Sequence, residues 1–136
     1  MKKLLVLILT ITGLIAFSCD DTDVTANFSN LTSNIWAADS LLANGVNAGG
    51  PGELLEDFNG ILLFNEDGTG TFGVYEGSWY FAYEETQMVL SSDSLIMPLT
   101  AIIEELTGVS LKMTTVFPNT IYPDNPTNIR MTFKAE

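Results

Sequence analysis

The residues able to do chemistry are few. The 136-residue chain has no His and a single Cys, Cys19. Without His there is no Ser-His-Asp or Cys-His catalysis, no ordinary proton shuttle and no common zinc site. One Cys cannot form an internal disulfide. Two carboxylate pairs remain, Glu84-Glu85 and Glu104-Glu105, with the composition of glycosidic acid-base chemistry. Adjacent strand residues point to opposite faces, so neither pair is expected to converge on one bond. A Ser-Lys mechanism would need Lys112 or Lys134, and both fall on outward strand positions. Asn65, Glu66, Asp67 and Gly68 loosely suggest a calcium loop, but the late Glu that completes such a loop is absent. The expectation is a protein that is not an enzyme and that has no catalytic residues, metal or cofactor.

Binding capacity lies instead in apolar side chains. Trp36, Phe64, Phe72, Trp79, Phe81, Met113, Phe117, Met131 and Phe133 fall on the inward face of alternating segments. Such a set either fills a core or lines a cavity for one small apolar ligand. The formal charge of -12, from 17 Asp and Glu against five Lys and Arg, argues against nucleic acid and anionic lipid surfaces as partners.

The first residues read as a leader. Lys2 and Lys3 precede an apolar run from Leu4 to Phe17, too short to span a bilayer and typical of a secretory signal. Leu14, Ile15, Ala16, Phe17, Ser18 and Cys19 resemble the bacterial lipobox, which ends at the Cys that becomes acylated with palmitate and similar chains. The resemblance implies a signal peptide over 1–18 and a mature chain of 118 residues from Cys19 to Glu136, whose side-chain charge is 3 minus 17, or -14. Asp20, Asp21 and Asp23 form either a solvated tether or a segment similar to the surface-export signal of Bacteroidota lipoproteins. The resemblance implies attachment to the outer membrane, with exposure at the cell surface an open alternative.

The remaining elements must position the apolar set. Residues 19–30, with Thr22–Ser29 polar and aperiodic, read as a tether. Strands are expected over Asn34–Leu42, Ile61–Asn65, Thr71–Tyr75, Ser78–Tyr83, Gln87–Ser91, Leu111–Phe117 and Ile129–Lys134. Asp67-Gly68 predicts a hairpin, and Glu76-Gly77 and Glu84-Glu85-Thr86 predict further turns. Leu95–Leu106 is ambiguous: Leu99, Ile102, Ile103 and Leu106 have helical spacing. Two long loops, Ala43–Asn59 and Pro118–Thr127, interrupt the strands, with one helical turn expected within Glu53–Phe58. Seven or eight short antiparallel strands over 31–136 make a sandwich or barrel.

The order of a Trp in the first strand, Phe64-Asn65-Glu66-Asp67-Gly68-Thr69, Gly77-Ser78-Trp79, Met88–Leu90 and Glu105-Leu106-Thr107 before Ser110-Leu111-Lys112-Met113 resembles the lipocalin-like lipoprotein domains of the Bacteroidota. The resemblance implies a small up-and-down antiparallel β-barrel and favours a strand at Ile102–Leu106. It brings no shared set of enzymatic residues. Two functions follow as expectations: binding of a small apolar ligand inside the barrel, or a surface accessory role in which the long loops contact protein or glycan. Asp39-Ser40-Leu41 and Asp93-Ser94-Leu95 also resemble the short O-glycosylation motif of exported Bacteroidota proteins.

Overall fold

The computed structural model describes residues 24–136. The leader, Cys19, Asp20, Asp21 and Asp23 lie outside the described residues. The chain forms α1 (Ala26–Thr32), β1 (Ile35–Ala43), β2 (Val46–Asn47), a 3-10 turn at Glu56–Phe58, β3 (Ile61–Phe64), β4 (Thr69–Phe72), β5 (Tyr75–Ala82), β6 (Gln87–Ser92), β7 (Leu99–Leu106), β8 (Ser110–Phe117) and β9 (Thr127–Ala135). β1 and β3 to β9 pair antiparallel in chain order, and β9 returns to pair with β1. This closes an eight-stranded up-and-down barrel, with β2 added beside the end of β1. Closure removes the unpaired edges that would otherwise recruit another chain.

Period-two alternation builds the wall. Leu111 and Met113 on β8 face Phe133 and Met131 on β9, and all four are buried. Two bulges interrupt the alternation. One lies between Ala38 and Ser40 on β1, and it returns Leu41 to the inside after Trp36 and Ala38. The other lies between Ile103 and Glu105 on β7. Leu99, Ala101 and Ile103 face inward, and the extra residue then brings Leu106 inward. This resolves the ambiguous segment as a strand. Leu99, Ile103 and Leu106 acquire helical spacing because a bulge adds one residue to a two-residue repeat. Ile102, grouped with them by spacing, is exposed.

One turn falls elsewhere than expected. The β4–β5 hairpin closes at Gly73-Val74, with Phe72 opposite Tyr75, and Glu76-Gly77 lies within β5. Gly73 has φ +65°, and a Cβ there would sit 1.9 Å from the Asp57 carbonyl oxygen, so no other residue fits that corner. Gly77 serves a different need: a Cβ would lie 1.8 Å from the Ser91 carbonyl oxygen on β6.

The expected tether also changes. Residues 26–32 form α1, capped by Thr25, whose hydroxyl accepts from the Phe28 amide at 3.1 Å. The helix seats Leu31, fully buried, under the lower end of the barrel. Trp36 Nε1 donates to the Leu31 carbonyl at 3.0 Å, and Phe28 packs against Trp79 with ring centroids 5.7 Å apart. A seven-residue helix rich in Asn and Ser is too short and too weak in propensity to show in a pattern.

The upper end is closed by the segment between β1 and β3. Ala48 donates to the Leu41 carbonyl, Leu55 to Ala48, and Val74 to Asp57. This folds Leu55 and Phe58 into the core. The expected helical turn is the 3-10 turn Glu56–Phe58.

Candidate functional site

The barrel interior gathers most of the expected apolar set. Trp36, Phe64, Phe72, Met113, Met131 and Phe133 are at most 1% exposed, and Trp79 is 5% exposed. Phe81 packs against them, partly buried. Phe64 lies edge-on to Trp79 at 5.6 Å, and Trp79 edge-on to Phe81 at 5.4 Å. Phe117 departs from the expectation. It pairs with Thr127 at the last position of the β8–β9 ladder and is 49% exposed. Its alternation is inward, but β8 outruns the barrel there, past Ile129, and no interior remains to receive the ring.

The rest of the interior is supplied by residues outside the expected set. Leu31, Leu62, Met88, Leu90 and Leu111 are fully buried. Met88 and Leu90 alternate visibly in β6, whereas Leu31 and Phe58 come from segments with no strand pattern. Among the described residues no polar or charged residue is buried. A small-molecule pocket usually holds a few placed polar groups that orient the ligand, and this interior presents none.

Two concavities lie outside the wall. The first, about 380 Å³, runs beside β1 beneath the 44–60 segment and is lined by Asp39, Ser40, Asn47, Gly50 and Asn59 among others. The second, about 650 Å³, lies on the outer face of β6 to β9 and the end of β1. Its floor is a row of cross-strand neighbours: Leu42 opposite Arg130, Arg130 opposite Thr114, Thr114 opposite Ile102, and Ile102 opposite Gln87. The Asn44-Gly45 turn, with φ of 49° and 80°, forms one side. It is pinned to β9 by Asn44 N to Asn128 O at 2.7 Å and Asn128 N to Asn44 Oδ1 at 2.9 Å. Sequence reasoning missed Arg130, since nothing local brings it beside Leu42 and Ile102.

The charged groups divide cleanly. Lys134 pairs with Asp39 at 3.1 Å and Lys112 with Glu105 at 3.2 Å. The Ser110 hydroxyl, together with Lys112, holds the Glu105 carboxyl below the usual carboxylate range. Arg130 has no carboxylate within 4.0 Å among the described residues. The bulge corrects one expectation about Glu104 and Glu105: both reach solvent instead of facing opposite sides. They still take different partners, Glu104 accepting from Thr114 at 2.9 Å and Glu105 from Ser110 at 2.7 Å. Glu84 and Glu85 lie in a turn with φ of 57° and 64°, and Glu85 accepts from the Thr25 hydroxyl at 2.6 Å.

The Asn65–Gly68 loop uses its oxygens internally. Asp67 Oδ1 accepts from the Thr69 hydroxyl at 2.6 Å and the Thr69 amide at 2.9 Å. These bonds, the hydroxyl first, lower the Asp67 pKa. Of the two Asp-Ser-Leu motifs, Ser94 stands exposed in the β6–β7 turn, whereas Ser40 is half-buried on β1. A scan against protein-family models gives no match, and a search of curated proteins gives none either.

Proposed function

We propose that this chain is an exported lipoprotein of lipocalin-like type, acylated on Cys19 and held at the outer membrane. In this reading the barrel is a closed platform that works through its outside. It is neither a container nor an enzyme. The leader and lipobox motif support the anchor. The closed eight-stranded up-and-down barrel is consistent with the lipocalin-like resemblance.

One observation carries the platform reading: the interior is filled with apolar side chains and both ends are covered by the chain itself. Leu31 covers the lower end, Leu55 and Phe58 the upper. A ligand inside would have to displace one of these caps and expose apolar surface at ~25 cal/mol per Å². Both described concavities lie on the exterior. The accessory role, expected through the loops 43–59 and 118–127, fits their position. They emerge at the end opposite α1, the first described element of the chain.

Native mass spectrometry of the protein from its own cells tests this. The expected spectrum shows the acylated chain from Cys19 with no apolar molecule retained inside, and Cys19→Ala loses both palmitate incorporation and membrane association. A stoichiometric lipid released only on unfolding would restore the container, and an unmodified Cys19 would remove the anchor.

A further inference from the structure

The geometry points to the outer-face concavity as a binding site for a small organic carboxylate with an apolar body. Three observations combine. Arg130 is exposed and has no carboxylate within 4.0 Å, while Lys112 and Lys134, the other two described cations, are both paired. No Asp or Glu lines the concavity, although 14 of the 17 acids fall among the described residues. The nearest acid engaged with the floor is Glu104, which holds the Thr114 hydroxyl. In a chain this acidic, the groove offers an anion a cation with no carboxylate among the lining residues, Glu104 being occupied by the Thr114 hydroxyl.

The remaining lining settles the ligand's body. Leu42, Ile102 and Val116 supply exposed or half-exposed apolar surface. Two of the polar side chains are already engaged: Thr114 bonds Glu104, and Thr115 donates to the Thr100 carbonyl at 2.7 Å. No aromatic ring lines the groove, so the flat stacking surface on which a sugar would rest is missing. What remains is a guanidinium fork, matched to a carboxylate, at one side of an apolar trough. From Arg130 through Thr114 and Ile102 to Gln87 the row crosses three inter-strand steps, about 14 Å at ~4.8 Å each. The volume of about 650 Å³ is that of a small-molecule site. The carboxylate sits on Arg130, and the apolar chain lies across the strands toward Ile102 and Gln87.

The test uses dodecanoate, with dodecanol and glucuronate as controls. Each is titrated into the chain from residue 19 onward carrying Cys19→Ser, so that no acyl chain competes, and binding is read from backbone amide shifts. Dodecanoate is expected to saturate, with shifts confined to outward positions of β6 to β9 and the end of β1. Arg130→Gln weakens it about ten- to hundredfold, the range of one charge-assisted pair. Arg130→Lys weakens it less, and added salt weakens it further. Both substitutions are at an exposed position, and an unchanged amide spectrum before titration establishes the fold. Equal affinity for dodecanol, an unaltered affinity in Arg130→Gln, preference for glucuronate, or no saturable binding each overturns the proposal. Shifts centred on Trp79 and Met113 would overturn it as well, and they alone would also end the closed-platform reading.

Discussion

Asp67 shows how much one side chain does at a hairpin. Its carboxylate takes both donors of Thr69, while Asn65 Nδ2 donates to the Thr69 hydroxyl at 3.0 Å. Hydrogen bonds to the charged form lower a carboxyl pKa. The folded value lies below the ordinary 3.8, so the contribution is present above that pH and is lost as pH falls through the folded value. Carboxyl NMR is expected to give an Asp67 midpoint below 3.8, and Thr69→Val to move it upward. A midpoint unchanged by Thr69→Val would mean that the Thr69 hydroxyl does not hold the carboxylate. The Asp-Gly pair was readable as a turn, but the role of Thr69 required seeing it across the loop.

Two elements without strand character close the barrel. α1 contributes one fully buried side chain, Leu31, and a carbonyl that accepts the Trp36 indole. Leu31→Ala is expected to cost about 2–5 kcal/mol, the range for a large-to-small change in a packed core, measured by urea unfolding. Amide exchange gives a sharper reading. The α1 amides and the Trp36 indole N–H should lose protection well before the β8–β9 ladder, because the helix is held by a few side-chain contacts, Leu31 and Phe28 chief among them, and the ladder by eight register pairs. Uniform loss of protection would mean that α1 is part of the cooperative core and not a cap upon it. The segment 44–60 plays the matching part above: the Phe58 ring lies 5.3 Å from that of Tyr75, whose hydroxyl donates to Asp57 at 2.9 Å.

The whole molecule has two unlike ends. α1 and the β3–β4, β5–β6 and β7–β8 turns lie at the lower end. The 44–60 segment, the β6–β7 turn and the loop before β9 lie at the upper end. The upper end carries large exposed apolar residues, among them Leu54, Ile96, Met97, Ile121 and Tyr122. Ile96 is fully exposed and its neighbour Met97 is 62% exposed. With the proposed anchor on Cys19, which precedes α1 in the chain, apolar loops at the upper end suit a protein that presents that end outward. A photo-crosslinking residue at Ile121 or Ile96 is expected to give specific protein or glycan adducts on intact cells, and one at Val109, on the lower β7–β8 turn, to give none. Adducts from Val109 alone would reverse the orientation.

Local pattern determined the class of wall this protein builds. Alternation in β8 and β9, the Asp67-Gly68 turn and the short spacing between turns are properties of a few neighbouring residues, so they survive in one dimension. They sufficed for an antiparallel barrel and for eight of the nine inward side chains. Tertiary structure decided what pattern does not encode. A bulge explains the helical spacing in the ambiguous segment, which is a strand over Leu99–Leu106, and the end of the barrel left Phe117 outside it. Contacts distant in sequence made caps of α1 and the 44–60 segment. The outer groove depends on register across five strands, which sets Arg130 between Leu42 and Thr114. Register is fixed by the closed ring of hydrogen bonds as a whole, and no single segment contains that information.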